Sequence, residues 1–341
     1  MTAAIALSER SRGRTAPNPN VGCILVRDGR VVGRGWTQPG GRPHAEAMAL
    51  AQAGEQARGA TAYVTLEPCA HESARGPACA PSLAQAGVTR VVAGVVDPDP
   101  RTAGRGLALL REAGVAVTEG IGADDARRAM AGFLTRRALG RPFVTLKLAT
   151  SLDGCIALAD GTSRWITGPE ARAHTHLERA RHEAILVGRG TWDVDAPRLD
   201  VRLAGLEQHS PIRVLLTRRP REGGAPSPAP DAGPVREMNP RLREDDGVVV
   251  IGAPEEIAGL PADHLLIEGG AQTAAAFLRA KLVDRLLLYR APVLIGGGRA
   301  ALGDIGLTDL AAAHGRWQRR DTRRLGSDTL EVYVAAPCSP E

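Results

Sequence analysis

Aromatic side chains make up only 3% of this 341-residue chain, and lysine occurs at Lys147 and Lys281 alone. With so few aromatic faces there is little on which unpaired bases could stack, which argues against a single-stranded nucleic-acid binder. No window comes near the roughly 18 consecutive apolar residues that a membrane-crossing helix needs. The opening MTAAIALSERSRGRT lacks the charged-then-apolar order of a secretion signal and reads as a short first helix, so a cytoplasmic location is expected. An excess of one charge sign is also missing: 43 basic residues are interleaved with 38 acidic ones, and the net charge of +5 is not gathered into a long basic run. Neither nucleic acid, which asks for a basic face, nor a membrane is an expected partner. Five cysteines (Cys23, Cys69, Cys79, Cys155 and Cys338) in a long chain without a secretion signal argue against a disulfide framework, leaving metal binding or burial to account for them.

What is present is an alternating pattern long enough for two domains, since single cores stop growing at roughly 250 to 300 residues. The runs 21–26 and 31–35 flank an Asp28-Gly29 turn and form a β-hairpin. A helix rich in Ala, Met and Leu follows over 44–53, closed by Gly54. Strand 61–67, helix 80–86 and strand 90–97 continue the alternation, and an Arg-rich helical segment runs from Asp124 to Leu139. Gly140-Arg141-Pro142 punctuates the chain and sets the boundary between domains 1–140 and 141–341. The second half alternates again: a helix with Glu170 near its start, strands at 184–188, 212–217, 248–252 and 264–270, then a helix and the apolar run from Asp284. Residues 220–246 turn to Gly, Pro, Ala, Ser and charge and read as a mobile loop. Both halves are therefore α/β.

The chemistry of the first half lies in His44, Glu46, Cys69 and Cys79. Three donors from three adjoining elements suit a zinc ion that keeps a fourth position for water, whose pKa the metal lowers to about 7. The set resembles that of zinc nucleobase deaminases, in which a glutamate moves protons without ligating the metal. Glu46 and His44 lie about 200° apart around a helix, so both reach one site only if His44 sits at its very start. Each residue alone would be ordinary; the four in this order are not. Nucleic-acid editing deaminases usually carry two residues between their cysteines, whereas nine intervene here, in CAHESARGPAC. That insert reads as a substrate-reading loop and moves the expected substrate toward a free pyrimidine.

Across almost its whole length the chain resembles the bifunctional riboflavin-biosynthesis deaminase/reductase family. The resemblance rests on TAPNPNVG (15–22), HAE (44–46), LEPCAH (66–71), DPDP (97–100) and AGRG (103–106) in the first half. In the second half it rests on LKLATSLDG (146–154), SRWITG (163–168), Gly190-Thr191 with Asp195, and IEGG (267–270). It implies a cytidine-deaminase-like three-layer domain followed by a dihydrofolate-reductase-like α/β domain. The implied activity is zinc-dependent removal of the ring amino group of a diaminopyrimidine ribose phosphate, then NADPH-dependent reduction of the ribosyl group to ribityl. Glu46 is the implied catalytic residue, with His44, Cys69 and Cys79 on zinc and Asn18, His71 and Arg75 on the deaminase substrate. Ala149, Trp165, Thr191, Asp195, Gly270, Ala271, Gln272 and Thr273 would meet NADPH. Ser163, Arg179, Leu199, Arg202 and Glu268 would meet the second substrate. The family also points to a homo-oligomer.

The physical logic of the cofactor site is partly visible: Glu268-Gly269-Gly270 joins an apolar strand to a helix whose first N–H groups could face a phosphate. No G-x-G-x-x-G follows a strand, so the usual dinucleotide fingerprint is absent. Three features depart from the family: in the first half the loop that carries His71 and Arg75 is one residue longer than the family pattern, and in the second Ala196 stands where a second acid often follows Asp195 and the 220–261 region lacks a clear strand and helix pattern. Two alternatives stand beside the bifunctional reading: a deaminase whose second domain has lost NADPH, and a zinc-stabilised nucleic-acid binder.

Overall fold

The computed structural model describes residues 1–71, 75–217 and 247–336. The expected loop at 220–246 and Cys338 lie outside the described residues. No helix among those described is long and apolar enough to cross a membrane. The chain divides into two compact units, Met1–Phe143 with Pro261–His264, and Val144–Leu260 with Leu265–Glu341.

The first unit runs α1 (Thr2–Ser8), β1 (Gly22–Arg27), β2 (Arg30–Trp36), α2 (Ala45–Ala53), β3 (Thr61–Leu66), α3 (Cys79–Gln85), β4 (Arg90–Val95), α4 (Arg105–Glu112), β5 (Ala116–Glu119), α5 (Ala123–Ala129) and α6 (Ala131–Leu139). Its sheet has the order β2-β1-β3-β4-β5, with β1 antiparallel to both neighbours and β3, β4 and β5 parallel. Helices α1 and α5 pack against one another and against the sheet, while α2 lies on β1 and β2 and also meets α3, which packs on α4. This is the expected three-layer arrangement. The core between the layers is built from Cys23, Leu25, Leu66, Leu83, Leu107 and Leu110 among others. Each large aliphatic side chain buried there contributes about 1.5 to 3 kcal/mol. Small residues on one stripe of α2, Ala45, Ala49 and Ala53, are buried and let the helix lie close to the sheet. The single helical segment expected from Asp124 to Leu139 is broken in two. Met130 leaves helical geometry at φ −103° and ψ 20° and is fully buried in the core.

The second unit contains β6 (Phe143–Thr150), β7 (Cys155–Ala157), α7 (Pro169–Arg179), β8 (Ala184–Gly188), α8 (Arg189–Asp195), β9 (Ile212–Leu216), β10 (Val248–Ile251), β11 (His264–Ile267), α9 (Ala271–Arg279), β12 (Arg285–Arg290), β13 (Arg299–Ala300), β14 (Trp317–Leu325) and β15 (Asp328–Ala335). Its large sheet has the order β10-β9-β8-β11-β6-β12-β15-β14; β15 is antiparallel to both β12 and β14. The central strands read as near-continuous apolar runs, as parallel strands buried on both faces must: β8 and β11 are buried along their whole length. Parallel strands carry their following loops to one end of the sheet, where open α/β sheets bind ligands. Within the described part of the 220–261 region, β10 and a short 3-10 turn at Pro254–Gly259 supply the regular structure.

Candidate functional site

Three elements of the first unit converge at the carboxyl end of β3. His44 is the N-cap of α2 in extended geometry, φ −70° and ψ 161°, so its ring turns back across the helix start while Glu46 sits in the first turn. Cys69 lies just beyond β3, and Cys79 opens α3. The His44 Nδ1 atom is 3.3 Å from Cys79 Sγ and 3.6 Å from Cys69 Sγ, and the three donor atoms all lie within 4.8 Å of one another. Ligands at tetrahedral zinc distances are separated by about 3.5 to 4 Å, so the donor set fits that ion both in spacing and in chemistry. Among the described residues it is the one group of this kind.

Electrostatics within the cluster are strongly coupled. Contact with the Cys79 thiol and with His44 holds the Cys69 thiol well below its usual range, while the neighbouring Cys69 and burial push Cys79 up. The backbone N–H of Cys79 also donates to Cys69 Sγ at 3.3 Å. These contacts favour the thiolate form at Cys69, the form a metal requires. Burial alone would lower His44, but Cys69 and Glu46 raise it overall. Glu46 is 4% exposed, and burial raises its carboxyl above the ordinary range, with Cys69 adding to the effect. A carboxyl so placed can hold a proton and release it, as a general acid and base must.

Around this centre, Asn18 Nδ2 donates to Gly41 O at 2.9 Å and lies 3.2 Å from His44 Nε2. Asn18 thus touches a proposed ligand directly, a contact its assignment to substrate did not foresee. His71 is half-buried beside Thr102, and the exposed Arg75 donates to Gly40 O at 2.8 Å.

The second unit gathers a different set. Arg179, on the last turn of α7, forms a bidentate pair with Glu268 at 2.7 and 2.9 Å and also donates to Asp200 O at 2.9 Å. Both side chains of the pair are nearly buried. Burial pushes the Glu268 carboxyl up, but Arg179, Lys147 and His176 outweigh it and hold the group below its usual range. Lys147 stands on β6, next to β11 in the sheet; burial lowers its ammonium against the opposing pull of Glu268. His176 Nδ1 accepts from the Arg202 backbone N–H at 3.2 Å, whereas the Arg202 side chain is exposed beside Asp200. Leu199 is buried at a left-handed φ of 56°, a costly conformation for a branched residue. Lys147, His176 and Asp200 were not singled out from the sequence. A lone lysine inside the apolar run LKL was the available signal for the first; the other two had none.

The expected cofactor residues fall in two places. Gly270 caps α9 in extended geometry with no side-chain cap, and Ala271, Gln272 and Thr273 form the first turn, leaving its N–H groups without side-chain partners from the cap. Thr273 packs so tightly into the glycines that a Cβ on Gly188 would lie 2.0 Å from its Oγ1 and one on Gly269 2.6 Å from its Cβ. Thr191, on α8, has its Oγ1 3.4 Å from where a Gly270 Cβ would be, which places the α8 and α9 starts side by side. Ala149 is half-buried on β6, paired with Tyr289. Elsewhere, Ser163 and Trp165 occupy an exposed turn, with the Arg172 guanidinium 4.9 Å from the Trp165 ring. Arg164 from that turn reaches the Asp195 backbone carbonyl at the end of α8. The neighbouring Ala196 is the left-handed cap of that helix, φ 40° and ψ 55°.

Comparison with known proteins agrees with both halves. Residues 1–95 match the cytidine and deoxycytidylate deaminase zinc-binding region, and residues 142–330 match the RibD C-terminal domain. The chain is similar to riboflavin biosynthesis protein RibD of Escherichia coli, 39% identical over 365 residues covering 98% of each chain. It is likewise similar to RibD of Mycobacterium tuberculosis, 39% identical with 98% and 96% covered. Among solved structures, Acinetobacter baumannii RibD is 37% identical with a TM-score of 0.82, covering 98% of this chain and 97% of that one. A Thermotoga maritima protein described as a diaminohydroxyphosphoribosylaminopyrimidine deaminase/5-amino-6-(5-phosphoribosylamino)uracil reductase is 31% identical with a TM-score of 0.83, over 98% and 97%.

Proposed function

The chain belongs to the RibD family of riboflavin biosynthesis proteins, bifunctional deaminase/reductases, and from that premise we propose the substrate, the cofactors and the residues of each step. The first unit hydrolyses the ring amino group of diaminohydroxyphosphoribosylaminopyrimidine and releases ammonia. The second reduces the ribosyl group of the product to ribityl with NADPH. The observation that carries the reading is the convergence of His44, Cys69 and Cys79 on one point beside the buried Glu46.

His44, Cys69 and Cys79 hold zinc, which when bound supplies a Lewis acid that makes hydroxide available at neutral pH. Glu46 takes a proton at its carboxylate and returns one to the departing amino group, a role suited by the burial that raises its carboxyl above the ordinary range. Asn18 steadies the His44 ring and reaches the pyrimidine from the same side. His71 and Arg75 bind the substrate's polar and phosphate groups.

In the second unit the first turn of α9 and Thr191 receive the phosphates of NADPH, with Ala149, Trp165 and Asp195 completing that site. NADPH supplies the hydride. Reduction also requires a proton, and Lys147 carries it at Nζ, its ammonium lowered by burial and within the electrostatic reach of Glu268. Arg179, Glu268, Leu199, Ser163 and Arg202 orient the ribose phosphate. The test is to supply the diaminopyrimidine phosphate with and without NADPH and to follow ammonia and NADPH oxidation together. Ammonia in both arms and NADPH oxidation in one support the reading; ammonia release with no saturable NADPH oxidation would reduce it to a deaminase.

A further inference from the structure

Glu67 follows β3 and precedes Pro68 and the proposed ligand Cys69, yet it faces away from the metal cluster. It is 2% exposed. Its carboxylate accepts four backbone N–H groups: Oε2 from Asp97 at 3.1 Å and Gly104 at 2.9 Å, Oε1 from Gly106 at 2.9 Å and Leu107 at 3.2 Å. Three of these donors belong to the start of α4, where the helix dipole favours an anion. A buried carboxylate with four charge-assisted bonds is a strong clamp. It draws the 97–107 loop onto the 67–71 segment so closely that a Cβ on Gly106 would meet Pro68 O at 1.9 Å.

The clamped loop presents Thr102, fully buried, with its Oγ1 3.4 Å from His71 Nδ1. Thr102 is itself fixed by its backbone N–H, which donates to Asp99 O at 2.8 Å. A continuous line of contacts therefore runs from the Glu67 carboxylate through the loop to the imidazole. The partner of one ring nitrogen decides what the other can do.

We propose that Glu67 is a positioning residue of the deaminase site, acting through the 97–107 loop and the Thr102 hydroxyl to fix His71 with its proton on Nε2, as a donor toward substrate. Glu67 touches no reacting atom. Replacing it by Gln would turn an NH2 group toward one pair of backbone donors, freeing that side of the loop. The proposal rests on the reading of His71 as a substrate contact, and its test separates the two.

The experiment compares Glu67→Gln, Thr102→Val and the double variant in the full-length, zinc-loaded chain. It reads kcat and KM for ammonia release, zinc content, melting temperature and the ring-nitrogen NMR signals of His71. Glu67→Gln is expected to raise KM about tenfold at unchanged zinc content, the loss of one well-placed hydrogen bond to substrate. Thr102→Val, which keeps shape and removes only the hydroxyl, shifts KM in the same direction, and the double variant is no worse than Glu67→Gln because both lie on one line of contacts. The His71 signal moves from the Nε2–H tautomer toward a mixture in every variant. An unmoved His71 signal in Thr102→Val, or effects on KM that multiply in the double variant, would overturn the proposal, as would a Glu67→Gln effect confined to melting temperature. A shifted His71 signal with KM unchanged would uphold the positioning and remove His71 from substrate binding.

Discussion

The two sites of this chain are built on opposite plans. In the first unit a few side chains of rare type meet at one point: an imidazole and two thiols within 4.8 Å, beside one buried carboxyl. In the second the proposed site is spread over backbone and common residues: the bare first turn of α9, glycines pressed against Thr273, and a buried Arg179–Glu268 pair with Lys147 in its electrostatic reach. A metal site depends on donor identity, because only certain atoms bind the ion. A phosphate and ribose site depends mainly on where N–H groups and cations are held, so many sequences can build it.

The comparison can be broken most sharply at Glu46. Glu46→Gln should retain one zinc per chain and slow ammonia release by about a thousandfold, within the usual range for a lost general acid and base. NADPH oxidation with pre-deaminated substrate should be unchanged, and its loss would show that the sites are not independent. Next comes Lys147→Met, expected to slow reduction by about a hundredfold while leaving ammonia release intact. The sign of the pH dependence follows from the lowered ammonium. A proton donor works below its pKa, so the basic limb of the reduction profile should fall below the ordinary lysine value of about 10.4. A limb at or above that value would remove Lys147 from the role.

A smaller effect is expected at Gly188. Its Ala variant forces a Cβ toward Thr273 Oγ1 and displaces the start of α9, which should weaken NADPH binding about tenfold in a calorimetric titration. Unchanged affinity would move the cofactor phosphates away from the start of α9. Least of all should follow from Arg202→Ala, since that side chain is exposed and its partner Asp200 is shared; a KM change of about threefold is expected.

These contrasts also explain what could be read without coordinates. The cysteines and His44 were legible because nothing in an ordinary core requires that set in that order. The paired strands of the first unit were legible because each apolar run is bounded by turn residues. Hidden were β14, whose WQRRDTRRL run is polar on both faces at the sheet edge, and the short β5. Helix α4 was also missed, since its start is secured by Glu67, from the distant segment after β3, and not by a local cap. The break at Met130 was read as continuous helix because most of the segment favours helix; Gly132, a poor helix former two residues beyond, was the signal available, and its missing Cβ leaves room for the His264 ring. Lys147 illustrates the limit most clearly: a lone lysine in an apolar run stands out in sequence, but its relation to Glu268 emerges only when β6 and β11 are placed side by side.

With the proposed sites, one chain carries two separate chemistries, only one of which needs the metal. The direct measurement is to strip zinc with a chelator, verify the loss by metal analysis, and assay both reactions before and after zinc is restored. Ammonia release should disappear and return with zinc, while NADPH oxidation on pre-deaminated substrate should continue throughout. Ammonia release that survives complete removal of zinc would contradict this reading.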